Sequence, residues 1–178
     1  MEDQTKINEL QRTIGVLTTN IGLASLKKSF GTFEKSSITS KQINDAFSNA
    51  GIKITITELD YLYQTTNWDN WEKITKTLYG IIKPFPWTKE YFDCDQRSSF
   101  ITATCGLLFS LNTCAGIYCK ITNTETGNSD MHWANLIIDK NGGLYLFDVD
   151  NGGLTQKITS NNIVMGKWRY ELQSLRIY

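Results

Sequence analysis

Tyr91-Phe92-Asp93-Cys94-Asp95-Gln96-Arg97-Ser98-Ser99-Phe100 is the stretch on which the reading of this chain turns. It carries a cysteine from an extended, acid-flanked approach into the first turn of a helix. Helical periodicity continues from Gln96 to Leu111 and places Ile101, Cys105 and Leu108 on one face. Unpaired N–H groups at a helix start favour an anion, and the thiolate is the reactive form of cysteine. Cys94 is therefore the candidate nucleophile, whereas Cys105 belongs to the buried stripe. Asp93 and Asp95 oppose a thiolate, because like charge disfavours it. A neighbouring base must take the proton, or a bound cation must neutralise the two carboxylates.

Working outward, the single histidine, His132, opens the apolar strand His132-Trp133-Ala134-Asn135-Leu136-Ile137-Ile138. The turn Asp139-Lys140-Asn141-Gly142-Gly143 returns the chain antiparallel as Leu144-Tyr145-Leu146-Phe147-Asp148-Val149-Asp150. If Ile138 pairs with Leu144, His132 stands opposite Asp150 with Asp148 diagonal to it; a tighter loop reverses the two. Either acid then reaches the imidazole, fixing its tautomer and stabilising its cation. A lone histidine on an apolar strand is often only a satisfied core residue, but here cysteine, histidine and acid all fall at element ends. Upstream, Gly116 to Thr122 alternates as a half-buried strand with Ile117, Cys119 and Ile121 inward, so Cys119 reads as a small hydrophobe.

Bulk properties exclude several classes. The chain has 178 residues, enough for one domain and an appendage. Its 18 Lys and Arg balance 18 Asp and Glu, leaving no field to attract nucleic acid or an anionic membrane. No apolar run approaches the roughly 20 residues of a membrane span. Met1-Glu2-Asp3-Gln4 lacks a signal-peptide pattern, so the expected site of synthesis is the cytosol. The four cysteines lack the paired spacing of a zinc site, and without a secretion signal a Cys114–Cys119 disulfide is disfavoured.

Ile7, Leu10, Ile14, Leu17, Ile21 and Ala24 recur as a heptad seam. This predicts a coiled-coil-like helix that oligomerises or docks on a protein partner, or an amphipathic helix lying on the body of the chain. Helices are then expected over Lys41 to Ala50, Glu58 to Gln64 and Trp68 to Tyr79, with Ser40 capping the first and Gly51 ending it. Trp68 and Trp71, three apart, read as core; with Trp133 they also permit a glycan-stacking reading. Pro84 and Pro86, the only prolines, mark a boundary. The expected organisation is residues 1–30 as docking helix, 31–83 as helical segment and 84–178 as the chemical domain.

Tyr91 to Asp95 with the following helix, Met131-His132-Trp133-Ala134-Asn135, and Leu144 to Asp150 resemble the papain-like cysteine peptidase domain at the C-terminus of Marasmius-type mushroom agglutinins and related bacterial and phage proteins. The wider papain-like cell-wall amidases are similar too, with D-C-S where this chain has Asp93-Cys94-Asp95. The resemblance spans about Trp87 to Tyr178. It implies Cys94 as nucleophile, His132 as general base, and an acid at Asp148, with Asp150 as the alternative. The family usually has Glu there. It also implies calcium, for which Asp93 and Asp95 are the candidate ligands. No ricin-type repeat is present, so the sugar-binding half of the agglutinin is not implied.

The resulting expectation is an α+β fold: a papain-like core, with the nucleophile helix packed on an antiparallel sheet, preceded by helices and the coiled-coil-like N-terminus. The expected function is a cysteine hydrolase that cleaves an amide in a peptide or cell-wall peptide, tethered to an assembly such as a phage particle. The alternative is a catalytically silent structural or adhesion subunit of a virion.

Overall fold

In a computed structural model, the described residues are Ser25, Lys28, Phe30 and 31–178, apart from Leu59, Glu90 and Tyr178. The heptad seam from Ile7 to Ala24 lies outside them. Phe33–Tyr178 forms one compact unit, which carries all the elements that follow. Among the described residues, no helix is long and apolar enough to cross a membrane.

This unit is built on a seven-stranded mixed sheet. Its strands are β2 (Thr55–Glu58), β4 (Cys114–Asn123), β5 (Ser129–Ile138), β6 (Leu144–Asp148), β7 (Leu154–Lys157), β8 (Asn162–Met165) and β9 (Trp168–Ile177). The order is β2-β9-β4-β5-β6-β7, and β8 pairs alongside β9. All pairs are antiparallel except β2 with β9, where Thr55 to Glu58 run beside Ser174 to Ile177. A separate ribbon joins β1 (Ser36–Thr39) to β3 (Leu62–Thr65). The helices are α1 (Ser40–Asn49), α2 (Trp68–Ile82) and α3 (Cys94–Phe109).

Period-two alternation sorts the sheet's two faces. Ala134, Leu136 and Ile138 of β5 join Ile117 and Cys119 of β4 and Leu172 of β9 in one apolar cluster with Ile43 and Phe47 of α1. The intervening residues face α3: Ser98 Oγ donates to Ala134 O at 2.9 Å, and Asn135 Nδ2 donates to Ser98 O at 3.0 Å. Every residue of β6 is buried, as expected of a strand covered on both faces. The fully buried core side chains on the two sides are what hold the sheet in register, because a one-residue slip would exchange their faces.

The segment 31–83 is not the expected run of helices. Glu58 to Gln64 comprises the end of β2, a connection and β3. Tyr63 is fully buried while Leu62 is 50% exposed, the in–out alternation of a strand. The overlooked signal is the β-branched run Ile54-Thr55-Ile56-Thr57, which loses side-chain freedom in a helix and suits a pleated edge. This corrects the expected fold class: helices do not simply precede an antiparallel papain-like core. Instead a strand from the first half of the chain joins the sheet in parallel with the last strand. The α1 helix starts one residue earlier than expected, with a reciprocal cap. Gln42 N donates to Thr39 Oγ1 (3.2 Å), and Thr39 N donates to Gln42 Oε1 (2.8 Å). Gly51 follows it with φ +67°, the left-handed ending its position called for.

Trp68 and Trp71 serve packing. Trp71 is fully buried and its Nε1 donates to Thr65 Oγ1 at 3.2 Å. Trp68 stacks on Tyr145 with centroids 3.7 Å apart. Neither is placed to hold a sugar.

Candidate functional site

Four element ends meet at one end of the sheet's strands. Cys94 is the first residue of α3, His132 lies near the start of β5, Asp148 closes β6 and Tyr170 lies near the start of β9. Asp93 caps α3, with its N–H donating to Gln96 Oε1 at 3.2 Å. A short bridge between Thr88 and Phe92 shapes the approach.

The register is the one in which Ile138 pairs with Leu144. His132 Nε2 hydrogen-bonds Asp148 Oδ2 at 3.1 Å, and both side chains are buried. Cys94 lines the same cleft and lies close enough to act on the imidazole. The structure thus brings Cys94, His132 and Asp148 together and takes Asp150 elsewhere. Asp150 Oδ1 forms an ion pair with Arg97 Nε at 2.6 Å, one helical turn after Cys94. Arg97 also donates through Nη1 to Phe85 O at 2.7 Å. The guanidinium is what separates the two acids.

Burial is the largest influence on His132 and opposes its charge. The Asp148 and Cys94 hydrogen bonds, then the charges of both, outweigh it and push the imidazole up to about 10. It is an imidazolium at neutral pH. Burial likewise pushes against the Asp148 carboxylate, but the bond and charge of His132 and the Tyr170 hydroxyl hold it below its ordinary value. Tyr170 Oη donates to Asp148 Oδ2 at 2.6 Å, and Asn151 Nδ2 donates to Tyr170 Oη at 3.2 Å. Burial and the Asp148 charge raise the Tyr170 phenol, which keeps it a donor. Cys119, paired in register with His132, donates its thiol to His132 O at 3.4 Å. Burial, then the Asp148 and Cys94 charges, push that thiol up, so it stays protonated.

Chemically, this is a carboxylate–imidazolium pair aimed at the half-buried Cys94 sulfur, in a cleft of about 250 Å³ walled by Trp87 and Trp168. Tyr170, Arg97 and Trp168 were absent from the sequence-based site. The signal for Tyr170 was the alternation Trp168-Arg169-Tyr170-Glu171-Leu172, which points it inward. For Arg97 it was a cation on an otherwise small or apolar helix face.

Carboxyl oxygens of Asp148 and Asp150 and a ring nitrogen of His132 lie within 4.8 Å of one another. Each of the three already has a partner, His132 with Asp148 and Asp150 with Arg97, so a metal here would have to displace those contacts. Asp93 and Asp95 differ. The Asp95 carboxyl is held above its ordinary value first by a hydrogen bond with Asp93, then by burial. Two carboxyls pressed together are hard oxygen donors of the kind calcium takes.

No family model and no curated protein matches this chain. Solved structures do. The crystal structure of Polyporus squamosus lectin bound to the human-type influenza-binding epitope Neu5Acα2-6Galβ1-4GlcNAc has a TM-score of 0.57 and 15% identity over 82% of this chain. A PSL1a–E64 complex has a TM-score of 0.56 and 16% identity, again over 82% of this chain. This chain spans 51% of the length of each, and the likeness is one of fold. It overturns the expected assignment to papain-like peptidases and, with it, the cysteine hydrolase and virion-subunit readings. The neighbours are lectin structures with a mixed, strand-rich fold. The thiol-protease expectation falls with that assignment, and nothing here supports the phage-particle or coiled-coil expectations, the latter resting on residues outside the described ones.

Proposed function

We propose that this chain is a glycan-binding protein that receives a saccharide in the cleft between Trp87 and Trp168. The reading is carried by the fold it shares with a lectin solved in complex with a sialylated trisaccharide. The cleft's chemistry supports it. Trp87 is 55% exposed, and an indole offers the flat apolar face on which a sugar ring lays its C–H bonds. Asp130 and Asn151 line the same walls and supply groups for hydroxyls. Cys94, His132 and Asp148 form the floor: the imidazolium fixes the sulfur's position, and Tyr170 with Asn151 fixes the carboxylate. Ordered polar groups at the base of an aromatic cleft bind without the entropy of arranging them first. Calcium belongs to the same reading, held beside the cleft by Asp93 and Asp95.

The test is a titration of the full chain with Neu5Acα2-6Galβ1-4GlcNAc and a panel of neutral oligosaccharides, followed by tryptophan fluorescence and calorimetry. Saturable binding is expected, weakened about tenfold by Trp168→Ala, equivalent to ~1.4 kcal/mol for one lost aromatic wall. Absence of saturable binding to every glycan overturns the reading. Binding unchanged by both Trp87→Ala and Trp168→Ala overturns its location.

A further inference from the structure

Trp87 stands in the cleft wall on a strap with little hold of its own. Over residues 83–88 every side chain is exposed, whereas Ile82 just before them is fully buried. The strap's far end bonds locally: Thr88 N donates to Phe92 O at 3.2 Å, and Phe92 N donates to Thr88 O at 2.8 Å. A segment that buries so little apolar surface does not fix its own position.

The hold comes from α3. Arg97 is 5% exposed, and its Nη1 donates to Phe85 O at 2.7 Å. Among the described residues, this is the hydrogen bond that reaches the strap from beyond Phe92. The guanidinium carbon lies 5.4 Å from the Phe92 ring centroid, and Phe92 meets Phe85 and Phe100 edge-on at 6.3 and 6.2 Å. The same guanidinium holds Asp150 Oδ1 through Nε at 2.6 Å. Trp87 and Asp150 both line the cleft. One buried cation therefore braces two of its walls, the strap on one side and the turn after β6 on the other. Charge-assisted bonds of this kind are about twice as strong as neutral ones, and burial keeps them from being screened.

We infer that Arg97 sets the aperture of the cleft: by tying the strap to Asp150 it holds Trp87 in place, and the brace decides how large a molecule reaches the floor at Cys94. The inference concerns entry to the cleft, whatever its ligand, and stands apart from the glycan-binding reading. The residue type matters. A guanidinium presents nitrogens set apart in a rigid fork, one for the carbonyl and one for the carboxylate. A lysine offers a single nitrogen, which keeps the charge beside Asp150 but gives up the strap.

The experiment alkylates the full chain with iodoacetamide and with a fluorescein-bearing iodoacetamide, and reads the labelled cysteines by peptide mass spectrometry. Both reagents attack the same thiolate, so the ratio of their rates at Cys94 cancels its ionisation and reports the opening. Expected are a low ratio of large to small reagent in the parent and a rise of about tenfold in Arg97→Lys, the effect of losing one charge-assisted bond to the strap. Trp87→Ala should raise the ratio as well. The double variant should go no further than Trp87→Ala, because the brace acts through that wall. Cys105, Cys114 and Cys119 are buried and should stay unlabelled in Arg97→Lys. An unchanged ratio in either single variant, or effects that multiply in the double variant, overturns the inference. So does labelling of the buried thiols in Arg97→Lys, which would mark a loss of fold in place of a wider opening.

Discussion

His132 is the chain's only histidine, so its titration can be followed without assignment by the imidazole carbon and nitrogen resonances. Its shift from 6.5 to about 10 corresponds to about 5 kcal/mol of linkage at ~1.4 kcal/mol per pH unit. The sign follows from which state holds the proton. Below pH 6.5 both folded and unfolded chains are protonated, and the stabilisation is fully present. Between 6.5 and about 10 only the folded chain keeps the proton, so stability declines; above about 10 the contribution is gone. Asp148 works the other way: its stabilising share is present above its ordinary value of 3.8 and is lost as acid protonates it in the folded chain. Replacing Asp148 by Asn keeps the shape and an acceptor for Tyr170 but removes the charge. Burial then acts on His132 with less opposition, and the titration should fall by about 1–3 pH units, the usual effect of an opposite charge at hydrogen-bonding distance. The assay is an NMR pH titration alongside urea unfolding of parent and variant from pH 5 to 10. Subtracting the two stability curves removes the titrations of groups remote from Asp148, but not those of Tyr170 and Cys119, which its charge raises. A parent histidine that titrates near 6.5, or parallel stability curves, would refute the reasoning.

Four other outcomes are expected. Arg97→Met should destabilise the fold by about 3–5 kcal/mol, because it strands the shielded Asp150 carboxylate; Asp150→Asn in the same chain should restore part of it, and a loss under ~1 kcal/mol in denaturant melts would count against the ion pair's role. Gly153→Ala should cost about 1–3 kcal/mol, since φ is +69° and an added Cβ would run into the Tyr79 ring; an unchanged melting temperature would contradict this packing. Native alkylation with iodoacetamide, read by mass spectrometry, should label Cys94 alone, because Cys105, Cys114 and Cys119 are buried; two or more rapid adducts would contradict the burial. Calcium should raise the melting temperature of the parent and not of Asp93→Asn/Asp95→Asn, and equal shifts, or none in the parent, would remove calcium from the proposal.

Strong local patterns carried through to the structure. The alternation of His132 to Ile138 and Leu144 to Asp148 gave two strands with Ile138 against Leu144, and Cys94 does begin a helix. Weak patterns did not. A four-residue strand such as β2 or β3 offers only two alternation steps, too few to separate period 2 from period 3.6, so Glu58 to Gln64 read as helical. The four-residue pairing of β2 with β9 joins positions more than a hundred residues apart, and no local period records such a partner.

Sequence alone determined which side chains could form a site: one histidine, one cysteine at a helix start, and two acids on the returning strand. Those are matters of composition and spacing along single elements. Tertiary structure decided between the acids. Asp148 reaches His132, and Arg97, arriving from α3 across the sheet, takes Asp150. It also decided the protonation of His132, because the balance of burial against two hydrogen bonds exists only when four elements meet. The kinship of the fold was decided there as well. Sheet order is fixed by which faces bury each other, and chains of 15% identity can bury the same faces with different residues.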